Sequence, residues 1–459
     1  RCWHPREAFV ARDTPTITTV RTTAPVTDHL SAMSKPMKES SSTGEITDHS
    51  QHGRIDDNSA SILAFPTEIL VMIIKFAALD PKENLIGDPF ANPYSYEAGK
   101  TIALTCSLFN HLVLPFIYYS FLLDYSGGMV PKWKAPNLYR AMANNPWRGQ
   151  CCRNLTIRIA NTEPRLDEAG YGEAERLSRW FSSVRHLKVR GTSGSIPKPQ
   201  TWSFIRHCST HMRGIDILSL GGWKDGFYQR RLFEIIDMPS LRSLHLKAVR
   251  ADPDESTSLH PDRYGSAQFT NLVLLAYGES ASSLKELLKW PRKLELFYLS
   301  YCFHKESALA LSMMDTLLRD HKDTLRAISL SYLNLGGRVP DLSGFPALES
   351  LSICRSDMTV RLTQPDDDAH RLLAPKLRVF QWNFELPRPS WTSFEDEEER
   401  WLRAFSEVAI TRRAALETIK VIFNSPEPKY ADGDESPWSR MNKIRNDVAK
   451  HGLRIKYGD

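Results

Sequence analysis

The sequence predicts an α/β fold in which a disordered tail and a small helical module lead into a curved solenoid of parallel strands alternating with helices. Three observations carry this expectation. A six-residue aliphatic pattern returns ten times after Cys151, and stretches with a helical apolar period lie between its copies. Two apolar runs at helical spacing, Ser59 to Asp80 and Thr101 to Leu123, stand ahead of the first copy.

The pattern is an aliphatic residue, two variable residues, an aliphatic, one variable residue and a final aliphatic. It reads "CRNLTI" from Cys152, "VRHLKV" from Val184, "IDILSL" from Ile215, "LRSLHL" from Leu241, "LVLLAY" from Leu272, "LELFYL" from Leu294, "LRAISL" from Leu325, "LESLSI" from Leu348, "LRVFQW" from Leu377 and "LETIKV" from Leu416. The starts lie roughly 22 to 39 residues apart, a spacing typical of stacked repeats. The last two aliphatics are two apart, so both point to one side of a short strand and the residues flanking them to the other. Strand and helix alternating at this period predict a solenoid in which neighbouring repeats cover one another's apolar faces.

Between the strands, "GEAERLSRWFSSV" places Ala174, Leu177, Trp180 and Phe181 on one helix face. The segment "TSFEDEEERWLRAFSEVAI" does the same with Trp401, Leu402, Phe405, Val408 and Ala409, and "SALALSMMDTLLRD" is a third candidate. The acidic run Glu395 to Glu399 reads as a helix start, because Thr392 and Glu395 have capping-box spacing and carboxylates suit a helix N-terminus. An array of this kind needs ends. "SPWSRMNKIRNDVAKHGLRIKYGD" predicts a helix closed by Gly452 and a capping strand with Leu453, Ile455 and Tyr457 alternating, while "FIYYSFLLDY" supplies a first strand.

The totals bound the function. A chain of 459 residues with 41% hydrophobic and 25% charged residues has soluble globular composition. Its net charge of +5 does not by itself indicate nucleic acid or an acidic membrane. Residues 1–57 are rich in Ser, Thr, Pro, His and charge, predict a disordered tail, and hold no apolar core of a secretory signal. The seven cysteines lack C-x-x-C pairs and zinc spacing, so they read as reduced, mostly buried thiols of the cytosol or nucleus, Cys151 and Cys152 included. The run Ser61 to Leu79 approaches the length of a membrane span, but Pro66, Glu68 and Lys75 interrupt it, so no membrane association is expected. Nucleophile elbow, Walker loop, H-E-x-x-H and Rossmann glycine patterns are all missing, so neither catalysis, a cofactor nor a metal is expected.

In "FPTEILVMIIKF" Pro66 sits at a helix start, where its missing N–H costs nothing, and Ile69, Leu70, Ile73, Ile74 and Phe76 form a wide apolar face. The segment "TIALTCSLFNHLVLPFIYYSFLL" adds Ile102, Leu104, Cys106, Leu108, Phe109, Leu112 and Val113 at helical spacing. Together they resemble an F-box, a helical module built on a Leu-Pro-x-Glu-Ile-Leu start and a Leu-x-x-x-Cys-x-x-Phe/Trp-type helix. The form followed by repeats is similar to fungal F-box proteins with leucine-rich repeats, whose repeats form an α/β horseshoe. The expected domains are the module at 58–124, a connector at 125–150 and the repeats with their cap at 151–459. This chain departs from the family pattern at Phe65, where Leu is usual, and in the loop inserted by "AALDPKENLIGDPFANPYSYEAGK". The family's Asn or Cys after each strand recurs only at Cys302 and Asn424, with Thr192 and Ser356 as weaker equivalents, which predicts an irregular horseshoe.

The resemblance implies a non-catalytic substrate-recruiting subunit of an SCF-type cullin–RING ubiquitin ligase, acting in the cytoplasm or nucleus. Its adaptor contacts, made to a Skp-type protein, carry over onto Pro66, Ile69, Leu70, Ile73, Leu104, Cys106 and Phe109. The repeats would select the protein to be ubiquitinated. The alternative is a leucine-rich-repeat scaffold without a ligase role, its F-box-like helices serving as a cap. In the early strands Arg158, His186, Lys188, Arg190, His245 and Lys247 are expected to face the concave side, followed later by Tyr298, Ser300, Ser329, Ser331, Ser350, Ser352 and Gln381. The basic set suits an acidic or phosphorylated segment, or is a solvated surface; without interleaved aromatics it does not suit nucleic acid.

Overall fold

The computed structural model describes residues 62–80, 90, 92–125, 134–160, 172, 175–192, 196–251, 258–301, 309–333, 338–358, 362–384, 394–422 and 436–457. The expected tail, Ala174, Cys302, Thr392 and Asn424 lie outside the described residues, as does the side chain of Thr192. The described residues fall into two compact units, one within 62–119 and 134–141 and the other within 120–125 and 142–457. Ser120–Tyr125 is the first strand of a sheet in the second unit.

In the first unit, α1 (Thr67–Ala78), α2 (Tyr96–Ala103) and α3 (Ser107–Ile117) surround a core of Leu70, Ile74, Leu112 and Val113. Ile102, Phe109, Phe116 and Ile117 pack against this core. Pro66 caps α1, and its carbonyl accepts from the N–H groups of Ile69 at 3.0 Å and Leu70 at 3.1 Å. Residues 102–113, expected as one helical run, are broken in two. Leu104 and Thr105 form a turn, and Cys106 becomes the N-cap of α3, its Sγ accepting the Phe109 N–H at 3.4 Å. A side chain that satisfies an orphan donor at that point favours starting a new helix over continuing the old one. The insert between α1 and α2 is tied at its base, where Asp80 N–H donates to the Pro93 carbonyl at 3.0 Å and Ser95 N–H to that of Ala78 at 2.8 Å.

The second unit holds a twelve-stranded sheet whose neighbouring strands are all parallel. Its strands are β1 (Ser120–Tyr125), β2 (Asn154–Ala160), β3 (His186–Thr192), β4 (Ile217–Gly221), β6 (Ser243–Lys247), β8 (Asn271–Tyr277), β9 (Leu296–Tyr301), β10 (Ala327–Ser331), β11 (Ser350–Cys354), β12 (Val379–Asn383), β13 (Thr418–Ile422) and β14 (Arg454–Tyr457). Two short segments, β5 (Phe227–Tyr228) and β7 (Val249–Arg250), pair separately. The strands run in chain order, so each repeat adds one strand beside the last. Register aligns the aliphatic positions into two buried rows. One runs from Leu155 through Leu187, Leu244, Phe297 and Phe380 to Ile455; the other runs from Leu123 through Val189, Leu246, Leu299 and Trp382 to Val421.

The crossovers cover these rows. In the helix Asp396–Thr411, Trp401 and Phe405 lie parallel with centroids 5.0 Å apart, and they meet Trp382 at 4.5 Å and Phe380 at 4.8 Å respectively. Parallel strands buried against such connections need a crossover in every repeat. Between β9 and β10 the expected helix is instead two short 3₁₀ turns, Leu311–Met313 and Arg319–His321, around one α turn, Met314–Leu317. Its buried residues Leu311, Met314, Leu318 and His321 are spaced three, four and three apart, which suits the tighter helix at both ends.

Three further expectations change. The fifth repeat reads "FTNLVL" from Phe269, three residues earlier than expected, because register pairs Leu272 with Leu244 and Leu274 with Leu246. Leu275 turns to the other face, and the register shifts between Leu274 and Tyr277, where Ala276 has φ +48°. Ser331 is buried, unlike Ser329 and Ser300 on that face. The acidic helix start uses Glu395 and Glu398 as its capping box. Glu398 also forms a buried ion pair with Arg355 at 2.9 Å, Glu399 pairs with Arg403 and Arg440, and Asp396 with Arg440. At the C-terminus Gly452, at φ +82°, closes the helix Pro437–Ala449 before β14, as expected.

Asp357, fully buried after β11, accepts the Leu333 N–H at 3.0 Å and the Ser356 hydroxyl at 3.1 Å through Oδ1. Its Oδ2 has no hydrogen-bond partner among the described residues, and burial pushes the carboxyl up to about 7. The folded state thus binds a proton that the unfolded chain releases near pH 4, so this group makes stability fall as pH rises from about 4 to about 7. Asp357→Asn keeps Oδ1 as an acceptor and cannot ionise. Chemical denaturation across that range should show a flatter pH profile for the variant, with a gain over the parent at pH 8; an unchanged profile refutes the assignment.

Candidate functional site

The first unit presents an apolar surface on α1. With 3.6 residues per turn, positions i, i+3, i+4 and i+7 share a face. Ile69, Met72, Ile73 and Phe76 have this spacing, and they are 40%, 53%, 40% and 67% exposed. Leu70 and Ile74, one residue on from Ile69 and Ile73, are each 2% exposed and belong to the core. The wide apolar face read from the sequence is therefore two stripes, one spent on folding and one left in solvent. Ile62, Leu63, Phe65, Leu104 and Leu108 are further exposed apolar side chains of this unit.

Of the expected adaptor contacts, Pro66, Ile69, Ile73 and Leu104 are exposed. Leu70 is not; it supports the exposed stripe from beneath. Cys106 is half-buried by its capping role, and Phe109 is half-buried against the core. Met72 and Phe76 were not among the expected contacts, although their three- and seven-residue offsets from Ile69 mark them as members of its stripe.

The second unit presents the sheet face opposite the buried rows. Its side chains are mostly half-buried. Register sets Arg158 beside Arg190, Lys188 between Thr156 and Ser219, and His245 beside Ser219. His186, Lys188 and Arg190 alternate along β3, and His245 and Lys247 along β6, so all six expected basic residues share one face. Arg158 is paired with Asp124 at 3.3 Å, and the Ser243 hydroxyl lies 2.9 Å from His245 Nε2. Gly221 separates Arg190 from β6; a Cβ there would come within 2.7 Å of Lys247 Cβ, so the Lys247 stem closes over the glycine. Tyr298, Ser329, Ser352 and Gln381 continue the face along one row to Lys420 and Lys456.

Reactive groups are held inert where they are buried. Burial pushes the Cys152 and Cys208 thiols far up, and the Cys151 thiol upward. Among the described residues no group of three or more His, Cys, Asp or Glu side chains could hold a metal ion, and no helix is long and apolar enough to cross a membrane. Compared with known proteins, the chain matches no family model and no curated protein.

The two stripes of α1 make separable expectations. Leu70→Ala removes core volume and should cost the first unit about 2–5 kcal/mol. Ile73→Ser should leave its stability within about 0.5 kcal/mol. Thermal melts followed by circular dichroism decide between them, and equal losses refute the division into stripes.

Proposed function

We propose that this chain is a non-catalytic substrate-recruiting subunit of an SCF-type cullin–RING ubiquitin ligase, working in the cytoplasm or nucleus. The helices of the first unit act as an F-box that binds a Skp-type adaptor. The repeats of the second unit form an irregular leucine-rich-repeat horseshoe whose concave face binds the protein to be ubiquitinated. The observation that carries this reading is the exposed stripe of Ile69, Met72, Ile73 and Phe76, directly after the Pro66-Thr67-Glu68 helix start.

A magnitude sets what the stripe must do. Burying the remaining half of four such side chains contributes roughly 3–6 kcal/mol. Association costs about 4–15 kcal/mol in lost freedom. The stripe alone therefore does not hold a partner, and the exposed Ile62, Leu63, Phe65, Leu104 and Leu108 are the source of the remaining area. Standard interfaces bury about 1,600 Å² in total, which a three-helix unit reaches only by using more than one helix.

Co-expression with a Skp-type adaptor tests the reading. The parent chain should co-purify with the adaptor, and the double variant Ile69→Asp, Ile73→Asp should lose it while residues 120–457 keep their melting transition. An adaptor that never co-purifies with the parent refutes the ligase role; one retained by the double variant refutes the assignment of the face.

A further inference from the structure

We infer that His207 and His211, at the end of the helix Pro199–His211, form a two-histidine site for a divalent transition-metal ion of the zinc, nickel and copper class. The inference is independent of the ligase reading. The two histidines are four residues apart, so they lie on one helix face. Thr201, Trp202, Phe204, Ile205 and Cys208 are buried on the other side, which leaves His207 half-buried and His211 exposed. Their rings stack with centroids 4.1 Å apart and planes inclined by 26°.

The backbone holds each ring in the state a metal ligand needs. His207 Nε2 lies 3.2 Å from the Glu175 carbonyl oxygen, and His211 Nδ1 lies 2.9 Å from that of His207. A carbonyl oxygen only accepts, so the nitrogen facing it carries the proton. The second nitrogen of each ring, Nδ1 of His207 and Nε2 of His211, keeps its lone pair and makes no hydrogen bond among the described residues. Metal-binding imidazoles are fixed in this way, one N–H given to a carbonyl and the opposite nitrogen to the ion. Burial lowers the His207 pKa, and so do His211 and, less strongly, Arg179; the opposing effect of Glu175 is smaller, so the ring is neutral at pH 7.

The surroundings set the charge of the ligand and the number of protein donors. A helix C-terminus carries partial negative charge, and His211 is the last residue of its helix, so a cation is favoured there. Two metal–imidazole bonds of about 2.0–2.1 Å reach across at most about 4.2 Å. Rings 4.1 Å apart are close enough to share one ion. Among the described residues no third His, Cys, Asp or Glu side chain joins them, and Cys208, between them in sequence, is buried with its thiol pKa pushed far up. The ion therefore keeps two or more positions for water or for a donor atom of another molecule. Imidazole pairs suit zinc, nickel and copper, whereas magnesium seeks oxygen ligands.

Equilibrium dialysis of the full chain, carrying no affinity tag, against micromolar Ni²⁺ in excess Mg²⁺ tests this, with Zn²⁺ dialysed in parallel. The parent should hold one Ni²⁺, or one Zn²⁺, that the double variant His207→Gln, His211→Gln loses. His260→Gln, which changes an exposed histidine elsewhere in the second unit, should keep the ion. Thermal melts without metal should agree for all three proteins. If the double variant melts early, His211→Ala, at an exposed position, replaces it and should lose the same ion. Ni²⁺ held equally by the parent and the folded variant, held by neither, or lost equally with His260→Gln overturns the inference.

Discussion

One backbone arrangement governs the second unit: from β2 to β12, the carbonyl just before the strand accepts two successive N–H groups of the next repeat. Arg153 receives Arg185 and His186, Arg185 receives Asp216 and Ile217, Asp216 receives Arg242 and Ser243, and the series continues through Thr270, Glu295, Arg326 and Glu349 to Arg378. These bonds fix register at the point where each strand begins. A slip of one residue would turn every aliphatic of that strand to the opposite face. Because register is pinned, the intervening chain is free to vary, which is why a long helix, a broken 3₁₀ turn and simple loops all serve as crossovers.

The same positions carry a pattern of charge that follows from their alignment. Side chains there are neighbours across the whole sheet, and from β10 onward they alternate: Arg326 pairs with Glu349 at 3.0 Å, Arg378 with Glu417 at 2.8 Å, and Arg454 with Glu417 at 3.8 Å. Arg378 also lowers the pKa of Glu349, after the larger effects of Arg326 and desolvation, so attraction is passed from repeat to repeat. Exposed pairs of this kind are screened by salt and add little depth to the fold. Their value lies in what they exclude, since a shift of one repeat would place like charges side by side. Near the other end Arg153 and Arg185 are adjacent like charges: Arg153 turns to the carbonyls of Gln150 and Ser183, and Arg185 to the carbonyl of Gly214 and, at 3.7 Å, to the Asp216 carboxylate of the next repeat.

How much of this is legible in the sequence depends on the range of the determining interaction. Strand positions were readable because one residue in two must be aliphatic, and nine of the ten hexamers have the expected frame. The fifth failed because "LVLLAY" and "FTNLVL" satisfy the pattern equally, and only pairing to Leu244 and Leu246 decides between them. Helix ends were readable where the cap is local, as at Gly452, and missed where it is chemically less common: Cys106 looked like part of a helix face and is a cap. Asp357 gave no signal, because a lone aspartate after a strand reads as surface until the neighbouring repeat buries it against the Leu333 N–H. On α1 the composition was visible, but its division between core and surface depends on α3, whose Leu112 and Val113 claim Leu70 and Ile74.

That division is the main physical support for the proposed adaptor reading. A helix with two apolar stripes ordinarily buries both, because an unpartnered stripe offers each partly folded chain a surface for aggregation. In α1 the three-helix core takes one stripe, and no rotation of the helix hides both, since Ile69 and Leu70 are about 100° apart around the axis. Turning Ile69 inward would turn Leu70 outward. Nor is the exposed stripe needed for α1 to form: the Pro66 cap, Glu68 near the N-terminus and the buried Leu70 and Ile74 already supply the local and tertiary signals. Replacing Ile69, Met72, Ile73 and Phe76 with polar helix formers would leave those signals intact and make the unit more soluble. Four neighbouring positions on one stripe are apolar although folding requires none of them to be, and this is what the proposed adaptor reading draws on.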